Sequence, residues 1–327
     1  MPPQAVWSCG DDIVEAVPLH PGTGEGSLTD LPDSVGDPLG TLPIEGASVV
    51  WKDHLEELPG SEEIFDGIRR QCDRVELEIE AIARYHVVGG TSIEVEVHPE
   101  SDRETAWFFL KATPFGILVL QRGELPLHAA ALVPPGGDKA LLVAGESGAG
   151  KSTTSAILVQ RGWTLLNDDI SRIVFPQGAP VVCPGFQSLK LNADSLALLG
   201  LDKDSAPRTR GFKEKYYWHV RGGRSACRVG AMVVLDDPEA DPADSVRLVG
   251  MSVFQELYRQ TFRPYLVVPL GCQKEHFLQL SRLAATIPCH RVSGVPRRTP
   301  SDIESMLRRI AFDPEAGSSP DRPGSAA

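Results

Sequence analysis

Residues 145–153 read GESGAGKST, and the reading of this stretch decides the fold. The residues just before it, LLVA at 141–144, form an apolar run of strand character, and those after it, TSAILVQRG, have helical character. Gly145, Gly150, Lys151 and Ser152 therefore stand in the G-x-x-x-x-G-K-[ST] spacing between a strand and a helix. Glycines in such a turn let backbone amides curl inward as an anion nest at a helix N-terminus. The lysine can reach the β- and γ-phosphates of a nucleotide, and the serine hydroxyl can ligate Mg²⁺. The expected nucleotide contacts are Gly145, Glu146, Ser147, Gly148, Ala149, Gly150, Lys151, Ser152 and Thr153.

Moving outward, 163–166 reads as a short strand that ends in Asn167-Asp168-Asp169. Carboxylates at a strand end beside a phosphate loop can manage nucleotide-bound Mg²⁺ and an attacking hydroxyl. Two neighbours permit a division of labour, one on the metal and one as base, and spacing alone leaves open which does which. Asp236-Asp237, closing the apolar strand 231–235, is a weaker copy of that geometry and reads first as a turn before Pro238. On the other side, 127–133 reads as one buried strand that turns back through PPGGDK into the strand of the loop. That hairpin would bring His128 close to the nucleotide.

Composition narrows the classes further. With 327 residues, 42% hydrophobic and 23% charged, the chain is that of a globular protein that can bury a full core. A net charge of −12 argues against bulk binding to nucleic acid or to an anionic membrane. No run approaches the length of a membrane span, and MPPQAVWSCGDD lacks the features of a secretion signal. The cysteines at 9, 72, 183, 227, 272 and 289 form no C-x-x-C pair, so thiols and a cytoplasmic setting are the expectation. One stretch, 203–228, reverses sign with Lys203, Arg208, Arg210, Lys213, Lys215, Arg221, Arg224 and Arg228. It reads as a solvated basic loop or as a lid near the phosphates.

Along the chain, residues 1–45 are rich in Pro, Gly, Asp and Ser and read as a poorly ordered segment. A β-rich region follows over 46–104, in which Val75, Leu77 and Ile79 alternate with Glu76, Glu78 and Glu80. Gly89-Gly90 turns that strand into a second alternating one through Ile93, Val95 and Val97, with the glutamates on a solvated face. The pattern becomes helical over 105–122 and is split by Pro114. The catalytic region is expected over 105–312 and a disordered tail over 313–327.

Several phosphate-loop classes are disfavoured by absence. There is no LSGGQ-like segment, no N-K-x-D motif, and no H-R-D with D-F-G. LPLHAAAL, followed by LLVAGESGAGKSTTSAILVQRGWTLLNDDISRI, resembles the catalytic domain of HPr kinase/phosphorylase and its serine-kinase-like relatives, among them kinases of lasso-peptide precursors. PGFQSLKLNADSLALLGL and FRPYLVVPLG look like later segments of those relatives. The resemblance implies an α/β fold of the phosphate-loop type shared with PEP carboxykinase, with a smaller β-rich N-terminal region. It implies Asp168 as catalytic base, Asp169 with Ser152 at Mg²⁺, and His128 and Lys151 beside the transferred phosphate. Lys190, Lys213 and Lys215 fall where relatives carry basic residues, and relatives are often multimers, so a homo-oligomer is among the expectations. Ala129 follows His128 where HPr kinase/phosphorylase has glycine, and its later HPr-contact signature is missing. Neither HPr as acceptor nor the reverse phosphorylase activity is carried over.

The expected function is an ATP- and Mg²⁺-dependent kinase that phosphorylates a hydroxyl, serine first, of a peptide or protein. The alternatives are a nucleotide-binding regulatory or assembly protein without transfer, and a kinase of a small hydroxylated metabolite.

Overall fold

The chain divides into two units, Met1–Gly123 and Glu124–Ala327. The computed structural model describes residues 7–9, 12–14, 39–201, 215–220, 225–242 and 245–313. Most of the expected N-terminal segment, the tail from 314, and most of the basic stretch 203–228 with Lys213 lie outside the described residues. Leu42 and Ile44 are buried, so packed structure begins ahead of the boundary expected at 46.

In the first unit, β1 (Trp7–Cys9) and β2 (Asp12–Val14) form an antiparallel pair. A six-stranded sheet follows, made of β3 (Ser48–Lys52), β4 (Glu62–Phe65), β5 (Ile68–Gln71), β6 (Arg74–Ile79), β7 (Ala83–Val88) and β8 (Ser92–Val97). Its order is β3-β8-β7-β6-β5-β4. Alternation does the work here: Val75, Leu77, Tyr85, Val87, Ile93 and Val95 are buried on one face. The other face is less open than the alternating glutamates suggested. Glu76 meets Arg84 at 2.9 Å and the buried His86 at 2.8 Å, and Glu94 meets Lys52 and Arg74 at 2.8 and 3.1 Å. The Glu76 pairs and Lys52–Glu94 join residues opposite or diagonal on neighbouring strands, and Arg74–Glu94 reaches across β7 on the same face.

Helices α1 (Arg103–Leu110) and α2 (Thr113–Gln121) complete this unit, with Pro114 in the first turn of α2 as its fixed φ prefers. The Tyr85 hydroxyl donates to the Ala106 carbonyl, and Gln121 bonds Gly90 and Asp73. Both helices thus belong with the sheet of this unit, and not with the residues after 123 with which the sequence reading had grouped them. Cys72 is disulfide-bonded, which corrects the expectation of thiols throughout, since separation along a chain does not fix distance in space. Cys183, Cys227, Cys272 and Cys289 are thiols.

The second unit opens with β9 (Leu125–Leu127), β10 (Ala129–Val133), β11 (Lys139–Gly145), α3 (Lys151–Gln160) and β12 (Thr164–Asn167). Then come β13 (Ser171–Val174), β14 (Val181–Val182), β15 (Ser188–Leu191), α4 (Ala193–Leu198), β16 (Tyr216–His219) and β17 (Cys227–Leu235). The last elements are β18 (Val246–Leu248), α5 (Met251–Arg259), α6 (Gln273–Thr286), β19 (Cys289–Val292) and α7 (Pro300–Phe312). β15 and β16 pair as a ribbon, while the other strands make a nine-stranded mixed sheet.

Within the sheet, β12-β10-β11-β17 run in that order, and β19 lies beside the C-terminal half of β17. β11 and β17 are parallel and buried along most of their length, which is why both read as continuous apolar runs and not as alternation. Leu141, Val143 and Val233 pack towards α3 and α7, and Leu142, Ala144 and Met232 towards α5 and α6. The unit is therefore a mixed α/β layer structure with helices on both faces of the sheet. No helix among the described residues is long and apolar enough to cross a membrane.

One detail departs from the sequence reading. The strand expected over 127–133 is broken at His128: β9 pairs with β13, β10 pairs with β11 and β12, and the His128 amide leaves the ladder for the Gln260 carbonyl at 2.6 Å.

Candidate active site

β10 is antiparallel to both β11 and β12, so β11 and β12 point the same way and end at the same edge of the sheet. That edge gathers the residues singled out above. The turn after β11 runs through Gly145, Gly148 and Gly150 at φ +141, +97 and +95. At Gly145 a Cβ would lie 2.5 Å from the Leu235 carbonyl oxygen, so glycine is required by the close approach of β17. α3 begins after Gly150 with no side-chain cap, which leaves its first amides to a ligand or to solvent. Lys151 Nζ donates to the carbonyls of Gly145 at 2.6 Å and Glu146 at 3.1 Å. Glu146, Ser147 and Gly148 are exposed, Ala149 is buried, and Ser152 is half-buried in the first turn of α3. The Thr153 hydroxyl meets Ser195 at 2.7 Å and ties α3 to α4.

Across from this turn, β12 delivers Asp168 and Asp169. Asn167 is fully buried, donates to the Cys183 carbonyl at 3.1 Å, and lies 2.6 Å from the Ser171 hydroxyl. The Ile170 amide bonds back to the Asp168 carbonyl at 2.8 Å, which closes a γ-turn on Asp169 at φ +70. The positive-φ form of this turn is rare and strained, and strain of this kind persists where surroundings enforce it. Asp169→Gly should therefore be more stable than Asp169→Ala by about 1 kcal/mol, both having lost the same carboxylate. Urea midpoints of the two variants check this; equal midpoints would mean the turn stores no strain.

The two carboxyls sit in opposite electrostatic states. Asp168 is buried, and burial together with the Asp169 charge pushes its carboxyl up to about 7. Asp169 is about one-third exposed, with Lys190 Nζ at 3.0 Å on one oxygen and His128 Nε2 at 3.4 Å on the other. Burial acts to raise it, but the Lys190 charge and the His128 contact outweigh that and hold it well below the ordinary carboxylate range. Burial lowers the Lys151 ammonium, Asp169 and Asp168 oppose that shift, and Lys215 adds to it. Lys151, Lys215 and the aspartate pair are thus within electrostatic reach of one another, in a chain that is acidic overall.

Asp236 and Asp237 do less than their spacing allows. Asp237 accepts from the Glu239 amide at 3.0 Å, as a turn residue does, and Asp236 lies 3.5 Å from Arg291. Sequence reasoning missed Gln260, Glu256 and Arg291, which lie beneath the edge and join it through hydrogen bonds. Their only local signal is that α5 places Glu256 and Gln260 one turn apart.

No family model matches the chain, and no curated protein does. One solved structure that it resembles is the Hpr(Ser) kinase/phosphatase from Coxiella burnetii, at 18% identity and a TM-score of 0.32, covering 58% of this chain and 99% of that one. At that score too little of the two superposes for any residue role to be carried across.

Proposed function

We propose that the protein is an ATP- and Mg²⁺-dependent kinase that transfers the γ-phosphate to a hydroxyl, serine first, of a peptide or protein. The observation that supports this is the meeting of two halves at one sheet edge. One half is the uncapped start of α3 with Lys151, and the other is Asp168-Asp169 with His128 and Lys190. On this reading 145–152 is a phosphate loop, whose amides after Gly145, together with Lys151, would hold the triphosphate. Ser152 and Asp169 offer the hard oxygen donors that Mg²⁺ prefers. When bound, Mg²⁺ neutralises charge on the β- and γ-oxygens.

The chain's own residues divide the rest of the work. Asp168, with its pKa raised to about 7, is poised near operating pH and takes the proton of the acceptor hydroxyl. The bond from that oxygen to the γ-phosphorus forms as the bond to the bridging oxygen breaks, and ADP leaves with that electron pair. Asp169 is the poorer base, because Lys190 and His128 stabilise its ionised form. Lys151 exchanges the two loop carbonyls for phosphate oxygens and balances the charge that develops on them.

Incubation with γ-labelled ATP and peptides carrying Ser, Thr or Tyr tests this reading. Label on a peptide supports it, label on a small alcohol moves the acceptor class to metabolites, and binding with no turnover favours a regulatory nucleotide binder.

A further inference from the structure

Gln260 follows α5 directly, is only 5% exposed, and uses each polar atom it has. Its side-chain carbonyl accepts the Gly145 amide at 3.2 Å, and its side-chain amide donates to Glu256 Oε1 at 2.9 Å. Its backbone carbonyl accepts the His128 amide at 2.6 Å, and its own amide donates to the Glu256 carbonyl at 3.0 Å. The two segments it grips are the first residue of the glycine-rich turn and the residue at which β9 and β10 part. Glu256 continues the chain of bonds to Arg291 at 3.3 Å, and Arg291 lies 3.5 Å from Asp236 at the end of the neighbouring strand.

A leucine would fill much the same space, and a buried amide is costly unless satisfied, so packing alone does not call for glutamine here. The Gly145 amide is also spent on Gln260, so a phosphate nest would begin with later amides. We infer that Gln260 is a positioning residue of the proposed transfer site: it sets the spacing between the start of the phosphate loop and His128. The inference rests on the proposed function. It predicts that loosening Gln260 misaligns donor and acceptor more than it weakens nucleotide binding, since a displacement of about 1 Å can cost about 10²-fold in rate.

The test compares Gln260→Leu, Gln260→Glu, and the swap Gln260→Glu with Glu256→Gln. The single Glu variant sets two carboxylates against each other across the 2.9 Å contact. In the swap, acid and amide have changed places, and an acceptor for Gly145 is kept. Transfer turnover should fall about 10–100-fold in Gln260→Leu and Gln260→Glu, with the KM for ATP changing far less, and should recover most of the way in the swap. Hydrogen exchange at the Gly145 amide in the free protein should be fast in both single variants and slow again in the swap.

Wild-type turnover in Gln260→Leu overturns the inference. So does a swap that restores slow exchange without restoring transfer, because the bond would then serve the fold alone. If the wild type itself neither binds ATP nor transfers phosphate, the functional reading fails. The exchange data then still decide whether Gln260 holds the turn.

Discussion

Asp168→Asn should abolish phosphoryl transfer and, above pH 7, leave the protein more stable than the wild type. The first effect follows from the base role: an amide cannot accept the acceptor's proton, and loss of a positioned base costs about 10²–10⁴-fold. Nucleotide affinity should be unchanged, because the turn and Lys151 are untouched. The second effect follows from the environment of Asp168, where burial and the adjacent Asp169 charge raise its pKa. A carboxyl with a raised pKa binds its proton more tightly in the folded than in the unfolded chain. The stability this gives is complete below the unfolded value of about 4 and is lost as pH rises through about 7.

At pH 8 the wild type therefore buries a charge that the asparagine variant does not, and a gap on the order of 1 kcal/mol or more is expected. The gap should close towards pH 5. Asp169 works in the opposite sense, since its depressed pKa gives stability above about 4 that is lost on acidification. Asp169 stays ionised between pH 5 and pH 8 in both proteins, so it does not blur the comparison. Urea titrations at pH 5 and pH 8, beside labelled-ATP transfer, read both effects. A variant that transfers at the normal rate removes Asp168 as the base; one that is less stable at pH 8 contradicts its buried, raised state.

Much of the candidate site was legible because its signals are local. Gly145, Gly150, Lys151 and Ser152 sit in one turn, the flanking strand and helix are their immediate neighbours, and Asp168-Asp169 close the next strand. The alternation in β6 and β8 was equally plain, because each buries a single apolar face, whereas β7, with His86 buried beside Tyr85 and Val87, reads in the sequence as a continuation of β6. The supporting bonds were hidden because they span the chain: Gly145 and Gln260 are 115 residues apart, and Asp169 and Lys190 are 21 apart. The break at His128 was hidden too. Leu127, Ala129 and Ala130 are all apolar and buried, so nothing in that run marks where one strand hands over to the next. α6 escaped for a related reason: its buried His276, Leu280 and Leu283 are offset by exposed Phe277 and Leu278, and no side chain caps it.

Lys151→Met should cost little in the free protein and much in the liganded one. In the free chain the ammonium bonds two loop carbonyls, one of them exposed, and replacing a single partly buried donor changes stability by about 1 kcal/mol or less. Methionine keeps the length and apolar stem, so the turn itself survives. With ATP and Mg²⁺ the variant lacks a charge-assisted contact of about 1.5–3 kcal/mol, and affinity should fall about 10–100-fold. At a ligand concentration of 100 times the wild-type Kd, the wild type gains about 2.7 kcal/mol and the variant about 0.4–1.4. Thermal melts with and without nucleotide measure that difference directly. Turnover should fall further than affinity, because the charge Lys151 opposes grows on the γ-oxygens as the bond breaks. Lys151→Arg should not rescue it, since a planar guanidinium cannot take the place of a compact ammonium between the Gly145 and Glu146 carbonyls. A methionine variant that keeps the full nucleotide-induced shift would mean that phosphates do not contact residue 151, and the phosphate-loop reading of 145–153 would fall with it.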